Sequence, residues 1–144
     1  MKLTITREEL LAPLQAINNV VERRQTLPIL GNVLVAAEDD GTVTLTATDM
    51  EVEIVVGLTA AVTQSGTITV PARKFLDICR ALPAEASLTF AIQDEKVKLQ
   101  SGRSRFLLAT QPAAEFPSIG GFDAFVDFEL TADTLRALVE GTQF

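Results

Sequence analysis

The chain has 144 residues, 47% of them hydrophobic, with 12 Lys+Arg against 19 Asp+Glu, a net charge of −7 and no histidine. That hydrophobic share excludes a disordered acidic segment, and the length suits a domain of ordinary size with a buried core. A lone cysteine, Cys79, excludes a His/Cys metal centre and an internal disulfide, and the negative charge argues against high overall affinity for nucleic acid.

The N-terminal MKLTITREELL lacks the apolar core of a signal peptide. Leu3 and Ile5 alternate as in a strand, and Thr6 then precedes a helical pattern as an N-cap. Within that helix Leu10, Leu14, Ile17 and Val21 form the core stripe, Arg7, Leu11, Gln15 and Asn18 occupy another face, and Pro13 predicts a kink or weak point. Arg23 and Arg24 follow in a polar loop. Strands are expected over residues 33–37, 43–47 and 52–57, the first two joined by the Asp39-Asp40-Gly41 turn. The longest nearly apolar run, residues 54–62, is about half a membrane span, so a soluble cytoplasmic protein is expected.

The pattern then recurs. Ile68 and Val70 alternate before Pro71, and a second helix follows with Phe75, Cys79 and Leu82 as its core stripe. Arg73 and Arg80, seven residues apart, share one of its faces, and Lys74 and Ile78 another. Strands over 87–92, 97–100 and 105–109 complete the unit, with a turn at Asp94-Glu95. Phe128 and Leu130 before Thr131 open a third copy; Thr6, Pro71 and Thr131 stand 65 and then 60 residues apart. The twofold strand–helix–strand–strand–strand unit predicts an α+β fold with antiparallel sheets and helices on one side. Residues 111–123, with two Pro, two Gly and no basic residue, read as a linker. The third copy stops at Phe144 without its strands, so the expected organisation is a first domain over 1–120, then a linker and the truncated start of a second over 121–144. A strand and helix alone bury little, which predicts partial disorder there.

Function is less directly written. On the residues alone Arg73 and Arg80 read first as a solvated helix face, with a phosphate-facing role the lesser alternative, and Cys79 reads as a buried small hydrophobe. Residues 96–111 carry Lys96, Lys98, Arg103 and Arg105 with no acid, and alternation gives way to the apolar run 106–109. Such a strand is either central or meets another chain. No nucleotide-binding, hydrolase or metalloprotease motif is present. Asp49, Glu51 and Glu53, alternating as on a strand face, are the one acid cluster open to acid–base or metal chemistry, but a wet sheet face explains them better and an enzyme is the weaker reading.

Five segments carry a resemblance: TLPILGN at 26–32, TDME at 48–51, VPARKFLDICRALP at 70–83, SGRSRFLLAT at 101–110 and AAEFP at 113–117. In order and without long insertions, they resemble the bacterial β sliding clamp family, the processivity subunits of the replicative DNA polymerase III. The resemblance implies the DNA-clamp fold, with two helices on the inner face of each domain and sheets outside. It implies no catalysis, cofactor or metal, and a head-to-tail homodimeric ring around duplex DNA. Carried over by position, Arg24, Arg7, Arg73 and Arg80 are implied DNA contacts, while Phe106, Leu108, Lys74, Ile78, Arg103 and Arg105 are implied ring-closing residues. Position 12, often basic in the family, is Ala12 here. The polymerase and the clamp loader are implied to bind through later domains, outside this chain. A protein-interaction scaffold without DNA contact is the rival reading.

Overall fold

A computed structural model describes residues 1–21, 27–93, 96–119 and 128–142. The first strand, β1 (Lys2–Thr6), buries Leu3 and Ile5 and exposes the residues between them. Thr6 then starts α1 (Arg7–Ile17) with a capping box. Its hydroxyl accepts from the Glu9 amide at 3.2 Å, and the Glu9 carboxylate accepts from the Thr6 amide at 3.1 Å. The same carboxylate takes the Thr6 hydroxyl proton's hydrogen bond, and these contacts hold its pKa below the ordinary value. The helix runs through Pro13 and ends at Ile17, so Val21 is buried but lies beyond the helix.

After a 3₁₀ turn (Pro28–Gly31) come β2 (Asn32–Ala37), β3 (Thr42–Thr48) and β4 (Glu53–Thr59). The Asp-Asp-Gly turn joins β2 to β3 as expected. Gly41 has φ +93°, and a Cβ there would lie 3.1 Å from the Ala60 carbonyl, so the position needs glycine on two counts. A strand absent from the sequence reading, β5 (Ala61–Gln64), precedes β6 (Gly66–Pro71), and α2 (Ala72–Ala81) starts directly from Pro71. The second unit closes with β7 (Ser87–Gln93), β8 (Lys96–Ser101) and β9 (Ser104–Ala109). The Asp94-Glu95 turn lies outside the described residues.

Both sheets are antiparallel, in the orders β5-β1-β7-β8-β9 and β4-β3-β2-β6. The two units exchange their first strands: β1 pairs with β7 of the second unit, and β6 pairs with β2 of the first. One hydrophobic core therefore spans both sheets and both helices, with Phe75 of α2 set against Phe90 of β7 at 5.7 Å between ring centroids. This is the α+β arrangement expected from the repeat, tied together by strand exchange. Beyond residue 127, α3 (Ala132–Glu140) forms with Thr131 as N-cap, where partial disorder was expected, and every described residue from 128 to 142 is exposed. Among the described residues no helix is long and apolar enough to cross a membrane.

Candidate functional site

Two features survive as candidate surfaces: the helix pair and the β9 edge. Arg7, the first residue of α1, donates from Nε to the Cys79 carbonyl at 3.0 Å. That carbonyl is in the last turn of α2, where no helical donor remains for it. Arg73, at the start of α2, donates from Nη2 to the Val21 carbonyl at 3.1 Å, just past the end of α1. Each helix start is thus bonded to the other's exit, so α1 and α2 run antiparallel, and the Arg7 guanidinium sits where α2 ends in partial negative charge. The cost is a half-buried Arg73 whose Nε has no partner among the described residues.

Of Arg7, Arg73 and Arg80, only Arg80 is fully exposed. The exposed positions of α1 include Glu8 and Glu9 and no basic residue; those of α2 include Lys74, Asp77 and Arg80. The exposed charges of the helix pair are thus three acids and two bases, a mixed surface with no basic cluster and unsuited to tight binding of a polyanion. Arg24 lies outside the described residues.

The second surface is better formed. Among the described residues, strand β9 pairs with β8 alone and is the outer strand of its sheet, and it also approaches β6. Between β9 and α2 runs an open groove of about 450 Å³ lined by Lys74, Asp77, Ile78, Phe106, Leu107 and Leu108. Four residues named for a ring-closing contact, Lys74, Ile78, Phe106 and Leu108, thus meet in one place. Their exposure is unequal. Leu108 is only 7% exposed and belongs to the core, Phe106 is half-buried, and Leu107, not singled out from the sequence, is 57% exposed. Period-two geometry explains this: Leu108 points inward opposite Val97, which puts Leu107 on the other face. Arg105 is exposed on β9 beside Gln100, and Arg103 is exposed in the turn between β8 and β9.

The acid cluster is divided between a turn and a strand. Asp49 and Glu51 are in the β3–β4 turn, not on a strand face, and Glu53 alone enters β4. The Asp49 carboxylate accepts from the Val52 amide at 2.7 Å and the Glu51 amide at 2.9 Å, which lowers its pKa and fixes the turn. Among the described residues no group of three or more His, Cys, Asp or Glu side chains could hold a metal ion. Burial pushes the Cys79 thiol up to about 12, the opposite of an activated nucleophile.

Residues 1–120 match the family described as DNA polymerase III beta subunit, N-terminal domain. The chain belongs to that family. Relatives named beta sliding clamp include one from Vibrio harveyi, 49% identical over all of this chain and 99% of its own length. Another is from Escherichia coli K12, 46% identical over all of this chain and 39% of its own length. The fold agrees: the DNA polymerase III subunit beta of Pseudomonas aeruginosa superposes over 97% of this chain and 38% of its own, with a TM-score of 0.93 at 42% identity. The sliding clamp of Bartonella birtlesii gives the same TM-score at 35% identity. The chain thus spans about two fifths of most of these relatives.

Within a beta-subunit N-terminal domain, Leu107 and Asp77 are the groove residues that sequence reasoning missed. Leu107 sits in a run of continuous apolar residues with no alternation to assign its face. Asp77 lies one residue from Ile78, and its helical position next to Lys74 (three residues away) was the available signal.

Proposed function

We propose that this chain is the first domain of a sliding clamp that encircles duplex DNA as a head-to-tail ring and tethers the replicative polymerase without catalysing a reaction. In this reading residues 1–120 are the domain, 121–144 are the linker and opening of the next, and the protein works in the bacterial cytoplasm at the nucleoid. The observation that carries it is the meeting of a free sheet edge, exposed Leu107 and half-buried Phe106 with α2 residues in one groove, flanked by Arg103 and Arg105. An edge strand with unpaired backbone groups beside an apolar groove accepts a partner strand, and two basic side chains select an acidic neighbour. A head-to-tail contact of this kind closes when the rotation returns to its start.

DNA retention then comes from topology. Arg80, Arg7 and Arg73, with Arg24 outside the described residues, guide the duplex by charge without reading bases. The sparse charge on the helix faces supports this role, because tight phosphate contacts would stall sliding. Polymerase and loader contacts belong to later domains.

Substitution of Leu107 tests the edge. In a full-length protein with this chain as first domain, Leu107→Asp turns a sedimenting dimer into a monomer, while the isolated chain keeps its stability within about 0.5 kcal/mol, as befits an exposed site. A dimer that survives Leu107→Asp places ring closure elsewhere.

A further inference from the structure

Residues 111–119 read as a linker in the sequence, yet they are fastened to the fold at both ends. The Thr69 hydroxyl donates to the Gln111 carbonyl at 2.7 Å, accepts from the Gln111 amide at 2.9 Å and accepts from Asn32 Nδ2 at 3.1 Å. One donor and two lone pairs are the whole capacity of a hydroxyl, and all three are used. A single side chain thus does for Gln111 what a neighbouring strand's backbone would do. After a 3₁₀ turn at Ala113–Glu115, the segment is caught again where the Ile119 amide donates to the Glu53 carboxylate at 3.2 Å.

These anchors follow the end of one sheet. Thr69 is on β6, Asn32 on β2 and Glu53 on β4, so the segment crosses that sheet from one edge strand to the other. Thr48, at the end of β3, is opposite Glu53. Asn32, Thr48 and Thr69 alternate with the core-facing Val33, Ala47 and Val70, which places them on the outer register. They are also the buried polar side chains of the described residues. Polar side chains on the outer face of a sheet stay buried only when something lies over them: Thr69, with Asn32 bonded to it, holds Gln111, while the Thr48 hydroxyl accepts from the Met50 amide of its own turn.

We propose that residues 111–119 are a latched strap, that Thr69 is the positioning residue that latches it, and that the strap sets the point at which the chain leaves the domain. The latch is made of hydrogen bonds to polar side chains, and no residue of the strap belongs to the hydrophobic core or to the side chains packed against it. Lifting it frees nine residues of tether; seating it delivers the chain to the start of β4. This goes beyond the ring reading and stands apart from it, since nothing in the argument requires DNA or a second subunit.

Amide hydrogen exchange on the 144-residue chain, without DNA, tests the proposal. The Gln111 and Ile119 amides are protected in the unmodified protein. Thr69→Val, which keeps the β-branched shape and removes the hydroxyl, raises the Gln111 exchange rate at least about tenfold, as expected when several hydrogen bonds share one group. The Leu45 amide at the centre of β3 stays at its original rate. Thr69→Ser restores Gln111 protection, and cleavage after Glu115 by a glutamate-specific protease is faster in Thr69→Val than in Thr69→Ser. Open-chain exchange at Gln111 in the unmodified protein overturns the proposal, whether or not the valine variant folds. So does equal Gln111 protection in the valine and serine variants, or loss of Leu45 protection in step with Gln111.

Discussion

Arg7 is the residue in which a structural and a DNA-contacting role compete most directly, and the two can be separated by stability. Arg7→Met keeps the apolar stem and a similar helix propensity but removes the guanidinium. The loss is one charge-assisted hydrogen bond to the carbonyl of fully buried Cys79, a carbonyl that has no helical donor to replace it. Bonds to charged groups contribute about 1.5–3 kcal/mol net, and the half-exposed guanidinium puts Arg7 toward the lower part of that range, about 2 kcal/mol. At a urea dependence of about 2 kcal/mol per molar, the unfolding midpoint falls by about 1 M with the slope unchanged. Arg73→Met also loses one bond, but it removes a buried Nε that has no partner among the described residues. An unsatisfied buried donor costs about 1–3 kcal/mol, so these changes offset and the midpoint hardly moves. Exposed Arg80→Met stays within about 0.5 kcal/mol. Urea titrations of the three variants give the order directly. An Arg7→Met midpoint equal to that of the unmodified chain would refute the cross-bonded helix ends as a stabilising feature. The consequence for testing the proposed function is practical: an Arg7 variant must be assayed for DNA retention at matched folded fraction, whereas an Arg80 variant needs no such matching.

Three further outcomes follow from the core. Phe75→Ala empties the position facing Phe90 and costs about 3–5 kcal/mol, read as a lowered urea midpoint. The Cys79 thiol is protonated in the fold up to about pH 12, against an ordinary 9.0, so it resists thiol reagents at pH 8 until the chain unfolds. Its folded pKa is raised, so its contribution to stability is complete below pH 9 and declines as pH rises from there toward 12. A Cys79→Ala variant should lack that alkaline decline in its unfolding free energy.

Local chemistry was legible in the sequence, and long-range pairing was not. Thr6 announces the start of α1, and the Asp-Asp-Gly turn its hairpin, because a cap and a turn are decided within four residues. The repeat predicts two equivalent units but cannot say that β1 and β6 change sheets, since periodicity carries no information about which strand lies beside which. β5 escaped notice because residues 54–62 run on without a break, and Ala60 and Ala61 give no turn signal. TDMEVE looks like a strand with alternating acids, yet Met50 adopts φ +79°, held by a hydrogen bond from its amide to the Thr48 hydroxyl, and the alternation belongs to a turn. The strap is the extreme case. Its anchor is one hydroxyl 42 residues away, which no composition rule for linkers detects. The groove was half legible: the resemblance brought Lys74, Ile78, Phe106 and Leu108 together, while which leucine faces outward depended on the register of β9 against β8.

The central claim is that this domain holds DNA by closing a ring, and topological retention measures that most directly. A full-length protein with this chain as first domain is loaded onto nicked circular duplex DNA, and bound protein is followed by gel filtration before and after the circle is linearised. The account predicts stable retention on the circle and rapid loss from free ends, with Leu107→Asp failing to be retained on either. Equal retention on circular and linear DNA, lost only at high salt, would mean that affinity holds the protein and would contradict the ring.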